Sequence, residues 1–126
     1  MNEKLISNLK LTAIRGATTS KGDTDFYVKD AVIELIQELI TRNNLKKENI
    51  ISITFTVTND ITCCFPASIA RNYFKFDTVA FLDCQQMNVS NDIKFCIRLM
   101  ALVYLESDKN PAHPYLHESS KLRPDR

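Results

Sequence analysis

One amphipathic helix, between Thr24 and Asn43, does most to limit what this chain can fold into. Its apolar residues recur at spacings of three and four: Val28, Ala31, Val32, Leu35, Ile36, Leu39 and Ile40. Asp23, Thr24 or Asp25 can cap the start of the helix, and Asn43 with Asn44 suits its end. A helix with a single apolar stripe buries that stripe against another layer, which the rest of the chain has to provide.

Strand-like segments surround this helix. Leu9 to Arg15 alternates apolar and polar residues, which predicts a first strand that ends near Arg15. Ile50 to Thr58 alternates as well and is rich in β-branched residues, so it predicts a second strand. Thr78 to Leu82 is typical of a buried third strand. Ile93 to Leu105 stays open, because it alternates strictly but is also long enough for a helix.

The remaining elements are short. Pro66 fits the first position of a helix that runs to about Tyr73. A loop from Asp108 to Pro114 precedes a short strand around Tyr115. The order β-α-β-α-β, then the open segment and the loop, predicts a mixed α/β (α+β) fold in a single domain over 1–126. Its strands outnumber what the helices can cover, so we expect an oligomer to bury the second face of the sheet.

The charge balance excludes some partners. Lys and Arg number 16 and Asp and Glu number 15, so the charges nearly cancel. General nucleic-acid binding needs a basic surplus, so we expect no nucleic-acid partner, whereas a small anion held by a few local arginines is compatible. No segment approaches the roughly 20 apolar residues of a membrane span. Met1 to Lys10 lacks the pattern of a signal peptide, so we expect a cytoplasmic protein with no membrane partner.

The cysteines and histidines predict no metal site. Cys63, Cys64, Cys84 and Cys96 do not have the paired spacing of a zinc site, and His113 with His117 is a weak pair. We expect reduced thiols that serve as small buried apolar residues, histidines on the surface, and no metal or other cofactor.

Five side chains are candidates for binding an anionic ligand: Arg15, Arg71, Arg98, Tyr115 and Arg123. Arg98 lies in an apolar run, and a buried guanidinium must be paired or must bind an anion. Arg15 precedes Gly16, which permits a close backbone approach or an unusual dihedral angle. A simpler role remains open for four of them: a strand-end charge for Arg15, a solvated helix position for Arg71, edge packing for Tyr115 and a structural salt bridge for Arg98. Several cations without an obvious nucleophile and base indicate a site that binds carboxylates.

Four motifs then carry a family resemblance: Ile14-Arg15-Gly16-Ala17-Thr18-Thr19, Phe65-Pro66-Ala67 with Arg71, Cys96-Ile97-Arg98, and Tyr115-Leu116 followed by Leu122-Arg123-Pro124-Asp125. Each is weak alone, but in this order and spacing, over about 11–125, they resemble the AroH-class chorismate mutases. The resemblance implies a bacterial homotrimer with a mixed-sheet pseudo α/β barrel and active sites between subunits. It also implies a Claisen rearrangement of chorismate to prephenate in aromatic amino-acid biosynthesis, with no metal and no cofactor.

The resemblance also implies roles for individual residues. Arg98 matches the arginine at the ether oxygen of the substrate, Arg15 one that binds a substrate carboxylate, and Tyr115 a tyrosine that holds the substrate. Arg98, Arg15 and Gln86 would act in catalysis. Further residues that would bind the substrate are Phe65, Ala67, Ser68, Arg71, Leu82, Asp83, Leu122 and Arg123. Such a site selects the compact conformer of a flexible dianion and stabilises the charge that develops on the ether oxygen.

Three positions depart from the family pattern. Gln86 stands where the family usually has a glutamate, Asp83 where it often has a cysteine, and Ser68 where it has a lysine. Gln86 can still bond the substrate hydroxyl but carries no charge. One hypothesis is that Asp83 supplies the absent carboxylate. The alternative is that Asp83 caps the end of a strand and Gln86 suffices alone.

Two other functions stay open beside the mutase. The first is another trimeric α/β enzyme with an interface arginine, such as the Rid-type enamine/imine deaminases, although the Arg98 and Arg123 motifs resemble chorismate mutases instead. The second is a non-catalytic binding protein that keeps the pocket but lost the reaction through Gln86.

Overall fold

The computed structural model describes residues 8–124, and two α-helices separate the first three of its four strands. In chain order they are β1 (Leu9–Thr19), α1 (Asp25–Asn43), β2 (Ile50–Val57), α2 (Pro66–Phe74), β3 (Ala80–Gln85) and β4 (Cys96–Glu106). Two short 3₁₀ helices occupy Lys47–Asn49 and His117–Leu122. Within the described residues, no helix is both long enough and apolar enough to cross a membrane.

The strands form one four-stranded sheet in the order β1-β4-β2-β3. β4 pairs antiparallel with β1 and with β2, and β2 pairs parallel with β3. The segment from Ile93 to Leu105, for which both a helix and a strand were open, therefore forms a strand, β4. It lies in the middle of the sheet and pairs with β1 on one side and with β2 on the other. The fold is a mixed α+β fold, as predicted.

The predicted bounds of two strands are wrong. β1 does not end near Arg15 but continues to Thr19, because all of β1 pairs with the equally long β4 up to Thr19 opposite Cys96. β3 begins at Ala80 and ends at Gln85, later than predicted, because it follows the parallel register of β2. The short strand predicted around Tyr115 is reduced to a single parallel bridge to Ala17.

The helix α1 forms where its pattern predicts. Thr24 is its N-cap, and its side-chain oxygen accepts a hydrogen bond from the backbone N–H of Tyr27 at 3.2 Å. Asn44 ends it in the left-handed conformation, with φ of 50°. Of the predicted stripe, Ile40 is half-buried and the other residues are fully buried: Val28, Ala31, Val32, Leu35, Ile36 and Leu39.

The two faces of the sheet differ in character. On β4, Leu99, Ala101 and Val103 are buried with the helices, whereas the alternate residues point to the other face. That other face carries apolar side chains that are exposed in the protomer, among them Leu82 at 59% and Met100 at 49% exposure. The sheet is thus covered by helices on one side and presents apolar surface on the other, as the excess of strands predicted.

Candidate active site

Arg98 lies on the face of the sheet that points away from the helices. Its position in β4 is opposite Ala17 of β1 and Thr56 of β2. Its side chain is 29% exposed. The side chain lines a cavity of about 800 Å³, together with Arg15, Tyr115 and Gln86. A concave site with convergent polar groups of this kind is suited to a small anionic ligand.

Gly16 allows the C-terminal segment to run directly beside β1. A Cβ atom at Gly16 would lie 2.9 Å from the carbonyl oxygen of Pro114. The backbone N–H of Ala17 donates to that same oxygen at 2.9 Å, and the N–H of Leu116 donates to the carbonyl of Ala17 at 2.9 Å. The close backbone approach expected at Gly16 is therefore confirmed. It brings the buried Tyr115 to the cavity wall beside Arg15.

The segment after β3 places Gln86 and Asp92 together. The amide Nε2 of Gln86 donates to Oδ2 of Asp92 at 2.6 Å, and Oδ1 of Asp92 lies 3.7 Å from Nη2 of Arg98. Oε1 of Gln86 and Nε of Arg98 are buried and have no hydrogen-bond partner among the described residues. Arg98 is thus partly paired, as a structural salt bridge requires, but one of its donors remains unused.

Sequence reasoning missed Asp92. The only signal was one acidic residue between Gln86 and Arg98, in a stretch without clear periodicity. Its side chain lines the same cavity, so Asp92 belongs with the four predicted residues that the fold brings together there.

A second group of predicted residues surrounds the start of α2 and the edge strand β3. Phe65 is 69% exposed and precedes the helix, and Arg71 is exposed nearly two turns farther along α2. Nη2 of Arg71 donates to Oγ of Ser68 at 3.4 Å. Ala67 is buried and Leu82 points away from the helices. None of these residues lines the cavity of Arg98 within the described protomer.

Asp83 also belongs to this second group. It is paired in register with Phe55, whose buried side chain lies on the helix-covered face. Oδ1 of Asp83 accepts a hydrogen bond at 3.0 Å from the N–H of Ala67, one of the donors left free in the first turn of α2. Burial raises the pKa of the Asp83 carboxyl, whereas that hydrogen bond and the charge of Arg71 oppose the rise. This geometry favours a structural role, with Asp83 capping a helix rather than a strand end.

Leu122 and Arg123 close the C-terminal segment. Leu122 is the last residue of the second 3₁₀ helix and Arg123 follows it, and both are half-buried. This 3₁₀ helix packs against β1. Asp125 of the predicted motif lies outside the described residues.

The cysteines and histidines adopt separate environments. Among the residues described, Asp25, Cys63 and Cys64 place three potential metal ligands within 4.8 Å of one another. Burial raises the pKa of both thiols, which disfavours the thiolate that a metal needs. His117 contacts Glu34, whereas Nδ1 of His113 accepts from the backbone N–H of Arg15. Only Cys96 is fully buried and the other three cysteines are half-buried, which corrects the expectation of buried thiols.

Comparison with known proteins identifies the family. The family model for chorismate mutase type I matches residues 11–126. The chain is 30% identical over 118 residues to chorismate mutase AroH of Bacillus subtilis, with 93% of each chain covered. It is 33% identical over 114 residues to chorismate mutase AroH of Thermus thermophilus, covering 89% of this chain and 93% of the relative.

A solved structure agrees with these relatives. A chorismate mutase from Clostridium thermocellum superposes with a TM-score of 0.79 at 34% identity, covering 87% of this chain and 98% of that one. The chain therefore belongs to the type I chorismate mutases, a family of enzymes that isomerise chorismate to prephenate.

Proposed function

We propose that residues 1–126 form one domain that catalyses the Claisen rearrangement of chorismate to prephenate, a step of aromatic amino-acid biosynthesis. The observation that carries the proposal is the guanidinium of Arg98, which lines a cavity with Arg15, Gln86 and Tyr115 and whose Nε has no hydrogen-bond partner among the described residues. The rearrangement is intramolecular, so it needs positioned donors rather than a nucleophile, a metal or another cofactor.

The substrate is a flexible dianion, and the two cavity arginines fit its charge. Arg15 is exposed at the cavity wall and binds a carboxylate, while the hydroxyl of Tyr115 helps to hold the substrate. Fixing the charged groups selects the compact conformer in which the reacting carbons approach each other. Gln86 accepts a hydrogen bond from the substrate hydroxyl through its free Oε1.

Arg98 acts on the bond that breaks. Negative charge develops on the ether oxygen as its bond to the ring carbon lengthens, and a guanidinium already aimed at that oxygen stabilises the transition state more than the ground state. The neighbouring sheet positions of Ala17 and Thr56 fix where the Arg98 side chain leaves β4. A lysine would lack the planar fork of donors at this point.

The second group of residues completes the site from a neighbouring subunit in a homotrimer with a pseudo α/β barrel. Phe65 is exposed in the protomer although it is large and apolar, and Leu82 and Met100 lie exposed on the face without helices. A trimer that buries this face would bring the residues around α2 to the cavity of another protomer. In that arrangement Phe65, Ala67, Ser68 and Leu82 line the wall, and Asp83 supports it from behind by accepting the hydrogen bond of the Ala67 N–H. Arg71, Leu122 and Arg123 lie at the mouth.

The test is the loss of chorismate absorbance with purified protein, with prephenate identified as the product. We expect turnover by the parent and a loss of at least about 100-fold in kcat/KM for Arg98→Ala. Arg42→Ala is a matched control, because Arg42 is an exposed arginine of α1 that pairs with Glu38 at 2.8 Å. Binding of prephenate without turnover in the parent would indicate the non-catalytic binding protein instead. Sedimentation would test the trimer independently.

A further inference from the structure

We propose that Asp92 is a positioning residue of this site, and that Gln86 and Asp92 together provide the acceptor and the negative charge that one carboxylate at position 86 would provide. The inference rests on the proposed function, because it concerns the same substrate and the same reaction. It is carried by the contacts among three side chains, those of Gln86, Asp92 and Arg98.

The first step concerns the orientation of the Gln86 amide. A carboxylate only accepts hydrogen bonds, so the amide nitrogen of Gln86 has to face Asp92, as it does at 2.6 Å. Oε1 is thereby directed away from Asp92, and it is buried without a partner among residues 8–124. An unpaired buried acceptor in a cavity is free to accept a hydrogen bond from the substrate hydroxyl. Asp92 thus selects which end of the amide meets the substrate.

The second step concerns how Asp92 is itself held. Oδ1 of Asp92 accepts from the N–H of Ile93 at 2.8 Å, and the N–H of Asp92 donates to the carbonyl of Val89 at 3.3 Å. Asn91 has φ of 64°, which closes the turn immediately before Asp92. The carboxylate therefore has a defined position, which an amide–carboxylate contact of 2.6 Å requires.

The third step concerns charge. Asp92 carries a negative charge into the cavity at a distance of 3.7 Å from Nη2 of Arg98, with only 23% of its side chain exposed. During the rearrangement the ring becomes electron-poor as the ether oxygen gains charge. A fixed carboxylate beside the ring stabilises that state, although it repels the substrate dianion in the ground state. Asp92 is therefore expected to raise kcat without improving substrate binding.

The experiment exchanges the amide and the carboxylate. Asp92→Asn leaves two amides without charge, and Gln86→Glu places two carboxylates in contact. The double variant Gln86→Glu with Asp92→Asn restores one of each, so that the asparagine amide donates to the glutamate. Asp108→Asn serves as the control, because Asp108 is an exposed acid that does not line this cavity. Chorismate turnover and thermal melting are measured for the parent and all four variants.

We expect Asp92→Asn and Gln86→Glu each to lower kcat by about tenfold or more. For Asp92→Asn, KM stays level or falls, because a charge that repels the dianion is gone. In the double variant, kcat is at least about threefold higher than in the less active of the two single variants. Asp108→Asn behaves as the parent does. Recovery of kcat in the double variant, together with a KM of Asp92→Asn that does not rise, is a result that a merely structural role for Asp92 would not produce.

Other outcomes overturn the inference. If kcat of Asp92→Asn stays within about twofold of the parent, Asp92 has no role in the reaction. If the double variant is no better than the single variants, or if the losses follow the melting temperatures, Asp92 only maintains the segment after β3. Absence of turnover by the folded parent would overturn the proposed function, and the inference with it. The activity of the parent therefore separates the two failures.

Discussion

Substitution of Gly16 by alanine tests how the C-terminal segment is attached to the site. A Cβ atom at this position would lie 2.9 Å from the carbonyl oxygen of Pro114, 3.1 Å from its Cγ and 3.4 Å from Cδ1 of Leu35. The first contact is with backbone, which no side-chain rotation relieves. The segment of Pro114 must therefore move away from β1 by several tenths of an ångström.

The cost of that movement follows from the contacts that it disturbs. Overpacking a well-packed position costs about 1–3 kcal/mol. The hydrogen bonds from Ala17 to Pro114 and from Leu116 to Ala17, each 2.9 Å long, contribute about 1 kcal/mol apiece and would be stretched. The lower entropy of the unfolded alanine chain offsets about 0.5 kcal/mol. We expect a net loss of about 2 kcal/mol, or roughly 5–10 °C in melting temperature for a domain of this size.

The assay compares Gly16→Ala with Gly22→Ala at equal protein concentration, by thermal melting and by chorismate turnover. Gly22 is the matched control, because its Cβ would meet only the ring of Tyr27, at 3.5 Å or more. Tyr115 moves with Pro114, so kcat/KM of Gly16→Ala should fall at least about tenfold, while Gly22→Ala changes neither quantity appreciably. The reasoning is refuted if the two variants melt and react alike.

Two further predictions concern acidic side chains outside the cavity. Hydrogen bonds from the side chain and backbone of Thr62 lower the pKa of Asp23 to about 2, so its contribution to stability is present above the ordinary value of 3.8 and is lost as the pH falls toward 2. Asp23→Asn should therefore flatten the fall in unfolding free energy between about pH 5 and pH 2, measured by denaturant titration. Asp83→Ala should cost about 1 kcal/mol of stability, because the N–H of Ala67 loses its acceptor. It should also lower kcat less than Asp92→Asn does, and the opposite order would favour Asp83 as the donor of the missing carboxylate.

The helix and the strand alternation could be predicted from the sequence because they are local patterns. The stripe from Val28 to Leu39 is set by neighbours three and four residues apart, and all that it needs from the rest of the chain is a surface to cover. The end of β1 could not be predicted in the same way. Nothing near Arg15 shows that eleven residues of β4 pair with β1, and that pairing extends the strand through Gly16 to Thr19.

In the candidate site, too, local sequence patterns identify some residues, whereas tertiary pairing brings in the others. Arg98 could be identified because a charge with apolar residues on both sides, Cys96-Ile97 before it and Leu99-Met100 after it, is unusual in itself. Its companions in the cavity come from β1, from the residues after β3 and from the C-terminal segment, so their proximity depends on pairings that periodicity does not encode. The family motifs pointed to Arg15, Arg98 and Tyr115, which the fold brings to one cavity, but they gave no indication of Asp92.

The two acidic residues near Gln86 show why distance along the chain is a poor guide to distance in a site. Asp83 is three residues away, but strand alternation turns it to the helix-covered face, where it accepts from Ala67. Asp92 is six residues away, but a turn at Asn91 returns its carboxylate to the Gln86 amide at 2.6 Å. A residue can therefore replace the missing carboxylate only if the backbone directs its side chain toward the cavity, however close it is along the chain. By that criterion the carboxylate beside Arg98 belongs to Asp92.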